Sequence, residues 1–425
     1  MQNAAVLEKQ GFGQLLKIRP YLIYLSAQAI TRFGDSLDSI AYSWMVYMLT
    51  GSELLMGTLF AFNFLPGLLF SLFTGTYVDR WPKKLVLALT YLSRGIVVSL
   101  TAFLYAVGSL EVWHLFLFTF LNSTLECFSR PAETSIVPRL LPKDKLLAGN
   151  SFSTSVSRSA ELIGLSIAGA LIALIGISGT ILIDAITFLI AAAIIAFMPN
   201  PEAAEQAEAK ETSARPETEM NKTVFGDIKE ALLFVKQHTL LLITTVLAMI
   251  NNFCLAPLNV LQPVYVKETL GAGPGGLSVL GTGLLIGMIC SGLWIGRYGK
   301  SFKKSTLIMS GSVLLGIGYF ALGIPGHLPA WRVESAAVCM FIAGFAVSML
   351  NAPISTYLME VTPRHMLGRI GALMAVACTA AIPVGSLITG VVAEHYSPPI
   401  LYSIMGIVMI LPVIFLIRKK SFRAI

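Results

Sequence analysis

Three ionisable side chains lie three residues apart in a stretch of the chain that is otherwise lipid-soluble. Arg32, Asp35 and Asp38 occur within residues 21–49, YLIYLSAQAITRFGDSLDSIAYSWMVYML. This spacing places them roughly on one face of a helix, and Tyr42 extends the same face. Asp35 lies about 21 Å along such a helix from its start, which is near the middle of a bilayer.

Charges at that depth predict a transport chemistry. They must face a protein interior or a water-filled cavity, where they typically carry protons or bind cations. One arginine cannot neutralise two aspartates: if Arg32 pairs with Asp35, Asp38 needs Arg94, a bound cation or a proton. A carboxyl group without a partner holds a proton readily, because burial disfavours its charged form. We therefore expect Asp38, or alternatively Asp35, to carry a proton.

Further ionisable side chains in apolar segments also belong to the first half of the chain. They are Arg94, Glu126, Arg158, Glu161 and Asp184, with Asn122 one turn before Glu126. The second half has no comparably deep charge. We expect the first half to handle charge and the second to supply an apolar, amide-bearing wall, with Asn251, Asn252 and Phe253 as candidates.

A structural interpretation of the same charges stays open. Arg32 with Asp35, and Arg158 with Glu161, are then neutral pairs that hold helices together. Glu126 then forms an ion pair with Arg130 at a helix end.

The elements that must position these residues are transmembrane helices. The chain has 425 residues, 55% hydrophobic and 12% charged, which is too little charge for a soluble surface. Its apolar runs are long enough to cross a bilayer as helices. We predict an all-α integral membrane protein with twelve transmembrane helices, at 20–49, 52–78, 84–108, 112–130, 150–175, 177–198, 239–266, 274–296, 303–325, 333–358, 367–393 and 398–417.

Basic residues predict the orientation of these helices. The 30 lysines and arginines fall almost entirely in alternate connecting segments, and the remaining loops hold only Lys267 and Arg332. The positive-inside rule then places both termini in the cytoplasm. The net charge of +7 reflects this topology and attraction to anionic lipid headgroups, not binding to nucleic acid.

Other motifs are missing from the sequence. It has no nucleotide-binding GxxxxGK[ST] loop and no HExxH, CxxC or GxSxG motif. The five cysteines lie in predicted helices and indicate packing, so we expect no disulfide, no metal site and no cofactor. No glycosylation sequon falls in a predicted outside loop, which favours a bacterial inner membrane.

The chain divides into two similar halves. A polar segment, residues 199–223, separates them, and an amphipathic stretch follows it. We predict an N-terminal six-helix bundle at 1–198, a cytoplasmic linker with an interfacial helix at 199–238, and a C-terminal six-helix bundle at 239–425. GTYVDRWPKK, residues 75–84, has a counterpart in GLWIGRYGKSFKK, residues 292–304. Two such repeats predict a substrate path between them that opens to each side in turn.

With its twelve predicted helices and central linker, the chain resembles the major facilitator superfamily through Gly75-x-x-x-Asp79-Arg80-x-x-Lys83-Lys84. The segments RFGDSLDSIAYSWMVYMLTGS and TPRHMLGRIGALM are similar to the group of drug:proton antiporters that contains macrolide-efflux proteins and the enterobactin exporter. Pro82 replaces the second glycine of the family's motif, and the second-half copy has Gly296 where Asp79 stands. The resemblance implies that Asp79, assisted by the neighbouring cations, latches the cytoplasmic side, and that the protein works as a monomer.

The leading hypothesis is a secondary transporter that exports amphipathic organic compounds, such as drugs, macrolides or siderophores, in exchange for protons. One alternative is export of a metal ion or another cationic solute bound by Asp35 and Asp38. Another is transport of a lipid or lysolipid. Two alternatives come from other functional classes. One is a membrane-embedded enzyme that acts on lipids, against which the deep charges offer no nucleophile–base pair. The other is a membrane sensor or immunity protein.

Overall fold

A computed structural model describes residues 15–142, 145–199, 232–362 and 366–418, and these are helical with no β-strand among them. We number the helices in chain order. They are α1 Arg19–Thr50, α2 Glu53–Phe62, α3 Leu65–Arg80, α4 Lys83–Ala106, α5 Val112–Leu140, α6 Leu146–Phe197, α7 Thr239–Val264, α8 Pro274–Tyr298, α9 Lys304–Ala321, α10 Arg332–Val361, α11 Leu367–Ala393 and α12 Pro398–Arg418.

Most of the predicted apolar segments coincide with helices of the structure. Within the described residues, nine helical stretches are long and apolar enough to cross a membrane, and the undivided α6 counts as one of them. α1 and α5 are not among the nine. Both carry several charged residues near their centres, which lower their hydropathy and also make them candidates for function. The number of twelve spans stays a prediction.

One long helix is divided at a glycine. α6 has 52 residues, and a straight helix of that length would extend far beyond a bilayer. At Gly176 the backbone has φ 76° and ψ 176°, a conformation that a residue without a Cβ adopts easily. The break lies between the predicted segments 150–175 and 177–198.

Two predicted boundaries were wrong. The segment predicted at 52–78 is two helices, α2 and α3, with Pro66 in the first turn of the second, where its missing N–H costs nothing. The helix predicted to end at Arg130 continues to Leu140 with Pro131 and Pro138 inside it. A proline can be accommodated within a helix that neighbouring helices support, so Pro131 did not mark an end.

The contacts divide the chain into two compact units. Unit 1 comprises residues 1–49 and 62–216, and unit 2 comprises residues 50–61 and 217–425. In unit 1, α4 packs against α5 and α6. In unit 2, α10 packs against α8 and α9, and α7 against α11 and α12. The predicted bundles at 1–198 and 239–425 stay a prediction. Most of the predicted linker, 199–238, lies outside the described residues. Within the part that is described, residues 232–237 are helical.

Candidate functional site

A group of ionisable side chains lies inside unit 1, on three helices. α1 contributes Arg32, Asp35 and Asp38, α4 contributes Arg94, and α5 contributes Glu133. We call these five residues the charge cluster. The three residues of α1 are far in sequence from Arg94 and Glu133, so the packing of the three helices, rather than any local motif, brings the cluster together.

Arg32 has its nearest carboxylate on α5. Its Nη2 donates to Glu133 Oε2 at 2.9 Å, whereas its Nη1 lies 3.6 Å from Asp35 Oδ2. The second carboxylate oxygen of Glu133 accepts a hydrogen bond of 3.0 Å from the Tyr91 hydroxyl. Glu133 is therefore held from two sides and acts as the fixed counter-ion of Arg32.

Arg94 is held by three groups from three helices. Its Nη2 donates to Asp35 Oδ1 at 3.0 Å, and its Nε donates to Asn122 Oδ1 at 3.3 Å. Its guanidinium carbon lies 4.2 Å from the centre of the Phe188 ring, a cation–π distance. Arg94 therefore links α1, α5 and α6 from its position on α4, and it forms its ion pair with Asp35 rather than with Asp38.

Asp38 forms no ion pair with either arginine of the cluster. Among the residues that the structure describes, it forms no hydrogen bond and no ion pair, although the charges of Asp35 and Arg94 act on it electrostatically. The two arginines of the cluster are thus matched by Glu133 and Asp35. Asp38 is the carboxyl group left over.

A further buried carboxyl group approaches the same helix from α6. Asp184 is 1% exposed, and its Oδ1 accepts a hydrogen bond of 3.3 Å from the Thr187 hydroxyl. Both side chains lie against Gly34 so closely that a Cβ there would overlap them. Gly34 is one helical turn before Asp38 and on the same face, so Asp184 brings a second carboxyl group close to Asp38.

Tyr42 continues the polar face of α1 beyond the charge cluster. Its hydroxyl is 2.8 Å from Thr119 Oγ1 and donates to the carbonyl oxygen of Leu115 at 3.4 Å. It fixes α1 to α5 one turn after Asp38.

Two other predicted pairs are local. Arg158 Nη1 lies 2.8 Å from Glu161 Oε2, and these side chains are 53% and 33% exposed. Arg130 Nη2 lies 2.7 Å from Glu126 Oε1, with Arg130 71% exposed. No hydrogen bond joins either pair to the charge cluster within the described part of the chain. Their geometry matches the structural interpretation, that of pairs along one helix.

The predicted cytoplasmic latch is described only in part. Gly75, Asp79 and Arg80 lie in α3, and their side chains lie outside what the structure describes. Lys83 is 1% exposed, and its Nζ donates to the carbonyl oxygens of Val78 at 2.7 Å and Trp81 at 3.0 Å. An ammonium group near a helix C-terminus interacts favourably with the carbonyl groups exposed there. Lys83 thus anchors the end of α3, and Lys84 beside it is half-buried.

The predicted wall residues of unit 2 lie on α7 in three different settings. Asn252 Nδ2 donates to the carbonyl oxygen of Cys378 at 3.2 Å. Asn251 is buried, and both polar atoms of its amide lack a hydrogen-bond partner among the described residues. Phe253 lines an apolar groove. These residues do not form one polar wall.

Glu133 and Tyr91 were missed from the sequence. The hydropathy pattern placed the end of the fourth predicted segment at Arg130, three residues before Glu133. Two signals could have found them: Glu133 follows Glu126 by seven residues, which is the same helix face, and Tyr91 precedes Arg94 by three. The described residues contain no group of three His, Cys, Asp or Glu side chains placed to hold a metal ion.

Known proteins are similar to this chain in sequence and in fold. A family model described as transmembrane secretion effector matches residues 16–423. Macrolide efflux protein A of Streptococcus pyogenes is 23% identical over 415 residues, covering 96% of this chain and 98% of that protein. Multidrug efflux pump Tap of Mycolicibacterium fortuitum is 24% identical over 383 residues, covering 88% and 89%.

Among solved structures, the nucleoside transporter NupG superposes with a TM-score of 0.73 over 96% of this chain and 98% of that one. At 15% identity this likeness shows the fold alone. The family match and the efflux relatives show a multi-pass membrane transporter and not an enzyme. The chain belongs to the transmembrane secretion effector family of efflux transporters, within the major facilitator superfamily.

Proposed function

We propose that this protein exports amphipathic organic compounds in exchange for protons, by alternating access. The observation that carries the proposal is the pairing in the charge cluster. Arg32 is answered by Glu133 and Arg94 by Asp35, which leaves Asp38 without a cation and beside the buried Asp184. Two neighbouring carboxyl groups without a cation are costly to ionise together, so one of them holds a proton.

The same pairing suggests how a proton moves helices. While Asp38 is protonated and neutral, Arg94 stays with Asp35 and joins α4 to α1. When Asp38 loses its proton, it competes with Asp35 for the guanidinium of Arg94 and weakens that link. Because Arg94 also holds Asn122 on α5 and stacks on Phe188 of α6, a change at Asp38 is passed to four helices.

The substrate class rests on the relatives and on composition. The two efflux proteins are named for macrolides and for multiple drugs, and we carry that class to this chain. Siderophores of similar amphipathic character belong to the same proposal. An exporter of amphipathic compounds needs apolar walls, and unit 2 can offer them because its described ion pair, Lys304 with Glu360, lies at the surface.

The remaining assignments follow from charge and resemblance. We place the protein in a bacterial inner membrane with both termini in the cytoplasm, because its basic residues lie in alternate connecting segments. We propose that it acts as a monomer of two six-helix bundles, and that Asp79 latches the cytoplasmic side.

Transport by purified protein in liposomes tests the proton coupling. A radiolabelled macrolide and a panel of amphipathic dyes serve as probes. We expect transport only when a pH gradient is imposed, and we expect Asp38→Asn to abolish the gradient-driven component. Glu161→Gln, which alters a local and exposed ion pair, is the control and should transport like the wild type. Full gradient-driven transport by Asp38→Asn would refute the role of this residue.

A further inference from the structure

Unit 2 contains an apolar groove apart from the charge cluster. It lies between α7, α11 and α12 and has a volume of about 920 Å³. All its lining side chains are apolar, among them Leu242, Val246 and Phe253 of α7, Ala381 and Val384 of α11, and Leu411 of α12. Small alanines form part of the lining of α11, so the surface is concave rather than a flat lipid-facing side.

The groove has one closed end. At Gly385 a Cβ would lie 2.8 Å from both the Cβ of Ala256 and the carbonyl oxygen of Phe253, so α11 and α7 meet there directly. On the other side of the groove, Leu242 is within one turn of the start of α7. From Leu242 to Cys254 the groove follows α7 for about 18 Å. One leaflet of a bilayer has about 15 Å of hydrocarbon, so the groove has the length of a single acyl chain.

A cation precedes the groove in the chain. Lys236 is exposed just before α7, six residues before the lining residue Leu242. Leu232 and Leu233, exposed in the preceding turn, suit the depth of a membrane interface.

We propose that this groove binds an anionic phospholipid, with an acyl chain against α7, α11 and α12 and the phosphate beside Lys236. The apolar walls offer no polar group that would orient a drug. A lipid needs none there, because its polar group stays at the rim. The site is separate from the proton coupling proposed above.

Lipid binding to the purified full-length protein tests the proposal. The probes are dioleoylphosphatidylglycerol and, as the neutral counterpart, dioleoylphosphatidylcholine, with bound lipid counted by native mass spectrometry. We expect the wild type to prefer the anionic lipid, and Lys236→Gln to lose about fivefold in affinity for it alone. Equal binding of the two lipids, or no effect of Lys236→Gln, would contradict the phosphate site.

Two matched pairs of variants test the acyl-chain site. Val384→Trp fills the groove, while Val391→Trp on the same face of α11 does not line it, and these valines are 52% and 55% exposed. Leu411→Trp and its control Ile404→Trp repeat the comparison on α12, should the first variant fold poorly. We expect each groove variant to lose most binding of both lipids and each control to retain it. Unchanged lipid binding in the groove variants, including the case in which only macrolide transport falls, would overturn the proposal.

Discussion

The two arginines of the charge cluster differ in exposure and in the number of groups that bind them. Arg94 is 13% exposed, and three groups from three other helices hold it. Arg32 is 33% exposed and has one close carboxylate, Glu133, with Asp35 as a second and more distant one. Asp35 thus stands between the two arginines. Its surplus neighbour, Asp38, is the group whose charge can change without leaving a buried arginine unpaired.

Replacing Glu133 should expose the dependence of Arg32 on it. We expect Glu133→Gln to lower the free energy of unfolding by roughly 1.5–3 kcal/mol, the range for a hydrogen bond to a charged group. In a double-mutant cycle measured by denaturant titration in detergent, Arg32→Gln should cost less in the Glu133→Gln background than in the wild type. Strict additivity of the two substitutions would show that the pair is not coupled.

Replacing Arg94 by lysine tests geometry at constant charge. A lysine cannot bond Asp35 and Asn122 through separate nitrogens and also stack on Phe188. We expect Arg94→Lys to lower the free energy of unfolding by roughly 1.5–3 kcal/mol and to slow gradient-driven transport. The same change at the exposed Arg158 should stay within about 0.5 kcal/mol. Similar losses for the two variants would mean that the contacts of Arg94 add nothing beyond its charge.

Two glycines, Gly34 of α1 and Gly164 of α6, let these two helices of unit 1 pack closely together. Gly34 of α1 admits Asp184 and Thr187 of α6, and Gly164 of α6 in turn lies against Ser36 and the carbonyl oxygen of Phe33. The two parts of α6 therefore meet α1 just beside Asp35 and Asp38. Such contacts let helices approach closely and keep the carboxyl groups in register.

A methyl group at Gly34 should separate these helices. A Cβ there would overlap the side chains of Asp184 and Thr187, and such overpacking typically costs about 1–3 kcal/mol. We expect Gly34→Ala to lose that stability in a thermal or denaturant assay and to impair transport. Gly67→Ala in α3 is the control, because a Cβ there meets nothing within 4 Å. Its stability should be unchanged or improved. A stable and fully active Gly34→Ala variant would contradict this packing.

The positions of the elements follow from local sequence, but their partners do not. Runs of apolar residues were enough to locate most of the helices, and the predicted segments 150–175 and 177–198 meet at Gly176, where α6 is broken. Glu133 escaped because hydropathy stops at a charged residue and a proline, whereas the helix continues when neighbours support it. The choice of Glu133 over Asp35 by Arg32 spans 101 residues, and only tertiary packing determines it.

Charge is concentrated in one unit across the whole molecule. The described residues of unit 1 hold the partly buried ion pairs of the charge cluster, and the described ion pair of unit 2, Lys304 with Glu360, is at the surface. This asymmetry was predicted from the sequence because deep charges are rare enough to count. The sequence could not predict whether the asparagines of unit 2 form one wall, since the direction of an asparagine side chain depends on its neighbours.

Proton release on substrate binding tests the exchange most directly. Wild-type protein in detergent, in weakly buffered solution near neutral pH, is mixed with a compound that shows gradient-driven transport, and the pH is followed with an indicator dye. We expect wild-type protein to release protons as the compound binds, and Asp38→Asn to bind it without release, whereas Glu161→Gln should behave like the wild type. Substrate binding by the wild type with no proton release, or equal release from Asp38→Asn, would contradict exchange at Asp38.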